Sequence, residues 1–220
     1  MNGEQLACVG VIQSAVLEDL RSHPCANWSE GRVKSVAVYA LLKAGYAILE
    51  GSNWSGKGRR ISWLGGKLKG DLVPLPDMAC LPGEVKNRNS PDLRVVAPLT
   101  MTFEIQVRST FTSQSQLMSD NVVNDVRRIA HGTADVLLGA FDRTIYDALR
   151  GIKADPRGRP PRNPELFSAV LPPSSDLSDV EVTRTAAANS LGAFQCCAAR
   201  VGADIGVERV FFALFRATVA

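Results

Sequence analysis

The sequence predicts an α/β protein with a mixed central sheet flanked by helices. Three observations carry that prediction. Helical and strand periodicities alternate along the chain, one segment alternates apolar and polar residues for a full strand, and the total length suits one core. The 220 residues are 45% hydrophobic and 21% charged, with a mean hydropathy of +0.01. That balance excludes a mainly disordered chain and a multi-span membrane protein. A net charge of +3 is too small to imply an acidic partner.

The first helix is expected over residues 4–21, where Leu6, Val9, Ile12, Val16 and Leu20 recur at helical spacing. His23-Pro24 stops it, because the residue before a proline is biased away from the helical region. Asn27 and Glu30 have capping-box spacing and open a second helix, with Val33, Val36, Ala37, Ala40 and Leu41 inward. Tyr46 to Leu49 reads as a short strand, with Arg60 to Leu64 as its hairpin partner. Residues 65–98 are broken by prolines and read as loop.

Leu99 to Thr110 is the clearest strand. Met101, Phe103, Ile105 and Val107 alternate with Thr102, Glu104, Gln106 and Arg108. A helix follows over 120–131, then an apolar strand at Val136 to Phe141 and a short helix to Arg150. Residues 151–164 form a basic, proline-rich loop. Beyond it a strand (Leu166 to Leu171), a helix (Val180 to Val201) and a final strand (Val207 to Val219) are expected, as a C-terminal strand-helix-strand extension of one 1–220 domain.

Five cysteines without C-x-x-C spacing predict reduced, buried thiols and a cytoplasmic setting, with Cys196 and Cys197 on a helix. The apolar run Leu6 to Leu17 is too short to span a bilayer, so no membrane partner is expected.

Gly51-Ser-Asn-Trp-Ser-Gly56-Lys57 fits the start of a phosphate-binding loop, but Gly58 replaces the magnesium-binding hydroxyl. A hairpin turn explains it better. The stronger chemistry lies on the long strand, where Glu104, Gln106 and Arg108 project to one side. Asp77, at a turn after Pro76, supplies a second carboxylate, and a hard cation needs two or so oxygen donors from different elements.

Helix, strand, acidic turn, a strand bearing Glu-x-polar, helix and strand is similar to the core of the PD-(D/E)XK nuclease superfamily. The resemblance covers about residues 27–150 and rests on Pro76-Asp77 and Glu104-Ile105-Gln106. It implies a restriction-endonuclease-like core and a nuclease that uses Mg2+ or Mn2+ to hydrolyse phosphodiester bonds, DNA being favoured over RNA. It also implies that Asp77 and Glu104 bind the metal. Gln106 would stand where the family usually has a lysine, and Glu30 where some members carry a further acid. A more literal spelling, Glu84-Val85-Lys86 after Asp71, is flanked by loop formers that would not hold a lysine rigidly in line.

Lys57, Arg59, Arg60, Lys67 and Lys69, interleaved with Trp54 and Trp63, suit a phosphate backbone with stacked bases. With Arg108 they form the expected nucleic-acid-binding set. A solvated sheet face with Glu104 and Arg108 weakly paired, and a mere capping role for Glu30, remain the plainer alternatives. The alternative function is a non-catalytic nucleic-acid-binding or oligomeric assembly protein, since the apolar segments Leu6 to Leu17 and Phe211 to Phe215 also suit subunit packing.

Overall fold

The computed structural model describes residues 1–23, 28–50, 60–62, 91–108, 118–151, 164–187 and 191–217. Two helices open the chain, α1 (Gly3–Ser22) and α2 (Glu30–Lys43). Strands β1 (Ala47–Glu50), β2 (Arg60–Ser62), β3 (Leu93–Ala97) and β4 (Met101–Arg108) follow, then α3 (Met118–Ala130), β5 (Val136–Asp142) and α4 (Arg143–Leu149). The chain continues as α5 (Pro164–Val170), β6 (Val182–Ala187), β7 (Ala193–Val201) and β8 (Arg209–Arg216).

All eight strands join one mixed sheet in the order β2-β1-β3-β4-β5-β8-β7-β6. Only the β4–β5 pair is parallel among the described pairings, and α3 is the crossover a parallel pair requires. The inner strands β5 and β8 are apolar without alternation because both their faces are covered.

Helices α1 and α2 cover one face. Their Val9, Ile12, Val16, Val33, Ala37 and Leu41 pack with Leu93, Val95, Phe103, Ile105 and Leu138. The other face carries α3, α4 and α5, with Val122, Val126, Tyr146 and Phe167 against Leu137, Phe141, Phe212 and Leu214. Gly139 of β5 is fixed by this second layer. A Cβ there would stand 2.1 Å from the Phe212 ring, so no larger residue fits without displacing it.

The expected helices over 4–21 and 120–131, the strand pair at 46–64, the long strand and the apolar strand at 136 all occur within a few residues of their expected bounds. Four expectations are corrected. The loop 65–98 ends in a strand, β3, whose Leu93 and Val95 are fully buried beside β4. The cap of α2 is Ser29, whose hydroxyl accepts from Arg32 N, so Glu30 is a first-turn residue and not the far end of a capping box. Residues 164–170 are helical, since Phe167, Val170 and Leu171 bury one helix side.

The fourth correction is the largest. The expected helix at 180–201 is the β6–β7 hairpin, so the extension is not strand-helix-strand. Cys196, Cys197, Ala198 and Ala199 of β7 fill close-packed positions against β8, where small side chains suit a strand covered on both sides. Local helix propensity gave way to tertiary packing. Both thiols are free and buried, as is Cys8, whose burial pushes its pKa to about 12. Among the described residues no helix is long and apolar enough to cross a membrane.

Candidate active site

The polar side of β4 is not a solvated face. Glu104 is only 3% exposed, because α3 lies across it. The strand alternation sends Phe103, Ile105 and Val107 into the α1/α2 layer. Glu104, Gln106 and Arg108 therefore turn toward α3. Asp125, on α3, sits in the same stripe as Val122, Val126 and Ile129 and is 6% exposed. Gln106 Nε2 donates to Asp125 Oδ2 at 2.7 Å, tying β4 to the helix. One turn on, Arg128 Nη1 reaches Glu104 Oε1 at 2.6 Å and Asp125 Oδ1 at 3.9 Å.

A third buried carboxylate comes from the residue that precedes β3. Leu93 pairs with Phe103 in antiparallel register, so Asp92, one residue earlier, falls beside Glu104. Asp92 is 9% exposed, and its Oδ2 accepts from Ile105 N at 2.8 Å. That bond fixes the carboxylate at the backbone following Glu104. At the other end of β4, Asp135 Oδ2 accepts from Thr102 N and Thr102 Oγ1 at 2.7 and 2.8 Å, which pins the strand before the acids begin.

Glu30 completes the group from the start of α2. Its position is held by Arg32, which makes two bonds of 2.9 and 3.0 Å to Asp19 of α1 and lies over the buried Trp28 ring. The second helix is thereby anchored to the first at the turn that carries Glu30.

Crowding of carboxylates shows in their acidity. Burial, opposed by Arg128 and reinforced by Asp92, Asp125 and Glu30, pushes Glu104 up to about 8. Burial raises Asp125 to about 6, against the pull of its Gln106 bond and of Arg128. Asp92 and Glu30 are also raised, by burial first. Arg108 is lowered by burial, while Glu30 and Asp125 favour its charge. Its Nη1 donates to Val107 O at 2.7 Å. Arg108 therefore belongs to the acid cluster electrostatically and does not stand apart as an exposed phosphate grip.

Of the expected site residues, Glu104, Gln106, Arg108 and Glu30 are brought into one electrostatic group. Asp77, Lys57, Arg59, Lys67 and Lys69 lie outside the described residues, as does the side chain of Arg60 in β2. The literal motif Glu84-Val85-Lys86 with Asp71, and the phosphate-loop-like segment 51–58, lie outside them too. Three residues were missed by reading the sequence. Pro91-Asp92 spells the acidic turn just as Pro76-Asp77 does, and sits nearer Glu104. Asp125 breaks an apolar helical stripe, and Arg128 follows it at i+3.

The donor set is all carboxylate and amide oxygen, the chemistry a hard cation such as magnesium prefers. Glu104 Oε1 is buried and, beyond the 2.6 Å ion pair with Arg128, makes no directed hydrogen bond among the described residues. Asp92 and Glu104 thus fit the one or two carboxylates that a magnesium site takes. As they stand, no three His, Cys, Asp or Glu residues among those described converge closely enough to hold an ion. Two carboxylates with water or phosphate oxygens would have to complete the shell.

No known protein family, curated protein or solved structure matches the chain.

Proposed function

We propose that the chain is a divalent-metal-dependent nuclease of the restriction-endonuclease-like type, hydrolysing phosphodiester bonds of DNA, with Asp92 and Glu104 as the metal-binding pair. The observation that carries this reading is the Asp92 Oδ2 bond to Ile105 N, which holds an acid from one strand beside Glu104 of the next. The element order supports it. Helix α2, antiparallel β1, β3 and β4, helix α3 and parallel β5 follow the helix, strand, acid, Glu-x-polar strand, helix, strand arrangement of that superfamily. Strand β2 and the β6–β8 half are additions at the two sides of this core.

Each residue has a task that its chemistry allows. Asp92 and Glu104 offer hard oxygens. A bound Mg2+ or Mn2+ supplies Lewis-acid polarisation of the phosphoryl oxygen and a water of lowered pKa. Gln106 is an amide and takes no proton, so it orients the attacking water but cannot be its base. Its Nε2 is committed to Asp125, and its Oε1, buried and making no hydrogen bond among the described residues, is left to accept from that water. Asp125 holds Gln106 in place, and Glu30 adds negative potential from α2.

The test is nicking of plasmid and single-stranded DNA by the purified protein with Mg2+ or Mn2+. Cleavage lost in both Asp92→Asn and Glu104→Gln supports the reading. A folded wild-type protein inert on both substrates with both ions sinks it. The Arg128–Glu104 ion pair favours a second reading, a non-catalytic scaffold in which that arginine is the cluster's permanent counter-charge.

A further inference from the structure

The acid cluster already holds a cation, and that cation is part of the chain. The Arg128 side chain is 22% exposed, against 4% for Glu104 and 9% for Asp125. The guanidinium therefore stands on the solvent side of the carboxylates it neutralises.

The contact has the character of a plug more than of a fixed bond. Arg128 Nη1 approaches Glu104 Oε1 to 2.6 Å, yet that buried oxygen has no hydrogen bond of good direction. Its charge is compensated while its directional demand is not. The backbone of Arg128, in contrast, is pinned. Its carbonyl accepts from Thr133 N at 2.9 Å, Ala134 N at 3.3 Å and Thr133 Oγ1 at 3.0 Å. Any release must come from rotation of the long side chain, with the end of α3 staying in place.

Resting on the nuclease reading, we infer that Arg128 is a resident competitor of the divalent ion. It covers Glu104 Oε1 when no metal is bound and turns outward when metal loads. The apparent metal affinity is then reduced by the fraction of molecules in which the arginine occupies the oxygen. Once outward, the planar guanidinium can pair with a phosphate oxygen of the substrate, a geometry in which arginine excels. Metal and nucleic-acid backbone thus favour the same position of one side chain, which couples their binding.

The experiment is calorimetric titration of Mn2+ alone into wild-type protein, Arg128→Gln and Arg128→Lys, with folding checked by circular dichroism. Competition predicts that Arg128→Gln binds Mn2+ roughly tenfold more tightly than wild type, within the usual range of coupling between two sites. Arg128→Lys, shorter by an atom and without the fork, should bind more tightly than wild type by a smaller factor. It decides the matter if the glutamine variant does not fold. A residue that merely organises the cluster would shift affinity the other way. Equal or weaker Mn2+ binding in the variants, with wild type still binding, overturns the competitor role alone. Failure of all three proteins to bind Mn2+ overturns both this role and the nuclease reading.

Discussion

Asp92 is bonded to the backbone beside Glu104: its Oδ2 accepts from Ile105 N at 2.8 Å. Two acids twelve positions apart in sequence are thus brought side by side by the antiparallel β3–β4 register and a bond from the β4 backbone to the Asp92 side chain. The donor is a backbone N–H of the paired strand, so the relationship is built into the strand pairing.

If that pair is the metal site, Asp92→Asn and Glu104→Gln each lower metal-dependent DNA cleavage by at least about a hundredfold, the scale expected for loss of a charged catalytic contact. Asp77→Asn then costs far less, because Asp92 already supplies the second carboxylate. Initial rates on supercoiled plasmid measure all three. A larger loss at Asp77 than at Asp92 would return the metal to the acid expected first from the sequence.

The crowded carboxylates set a pH dependence of stability. Glu104 titrates near 8 in the folded chain and near 4.5 when unfolded. Its pKa is raised on folding, so the folded state binds the extra proton between those values and stability falls as pH rises through them. Asp125, raised to about 6, adds to the fall over the lower part of the same window. Metal-free protein should lose a few kcal/mol between pH 5 and 8.5. Urea unfolding across that range, repeated on Glu104→Gln, should show a visibly shallower slope in the variant.

Gln106 is held by Asp125, which makes a lysine acceptable at the same position. Gln106→Lys should fold with little loss, its ammonium pairing with Asp125. Gln106→Leu leaves the 6%-exposed Asp125 carboxylate without that donor and should cost about 1–3 kcal/mol. Thermal melts of the two variants, measured at pH 7.5 so that Asp125 is ionised, check the difference in size.

Behind the site, Gly139 pairs with Gln106 across β4 and β5 and lies under Phe212. Gly139→Ala should destabilise the fold by about 1–3 kcal/mol through overpacking. The double variant Gly139→Ala with Phe212→Leu should recover part of that loss, since it removes the ring the new methyl meets. Chemical denaturation of the single and double variants measures the recovery.

Apart from β3, the core order from α2 to β5 was legible because its elements obey simple periods. Met101 to Arg108 alternates strictly, and Val122, Val126 and Ile129 recur at helical spacing. Strand β3 was hidden among prolines. Its five residues, Leu-Arg-Val-Val-Ala, are too few to outweigh Pro91 and Pro98 on either side. With the strand went Asp92, whose Pro-Asp spelling had a rival in Pro76-Asp77. The β6–β7 hairpin was misread as helix because alanine favours helices in isolation, while partners on β8 make a strand the better burial.

By itself the sequence determined which residues carry the chemistry of the long strand, because a period of two places Glu104, Gln106 and Arg108 together whatever lies around them. Only the tertiary structure decided what faces them. Asp92 arrives through antiparallel register, Asp125 and Arg128 through the docking of α3, and Glu30 through the anchoring of α2 on α1. Alternation along a strand is local geometry, whereas the partner across a strand pair or under a helix is fixed by burial of the whole core, which no short stretch of sequence encodes.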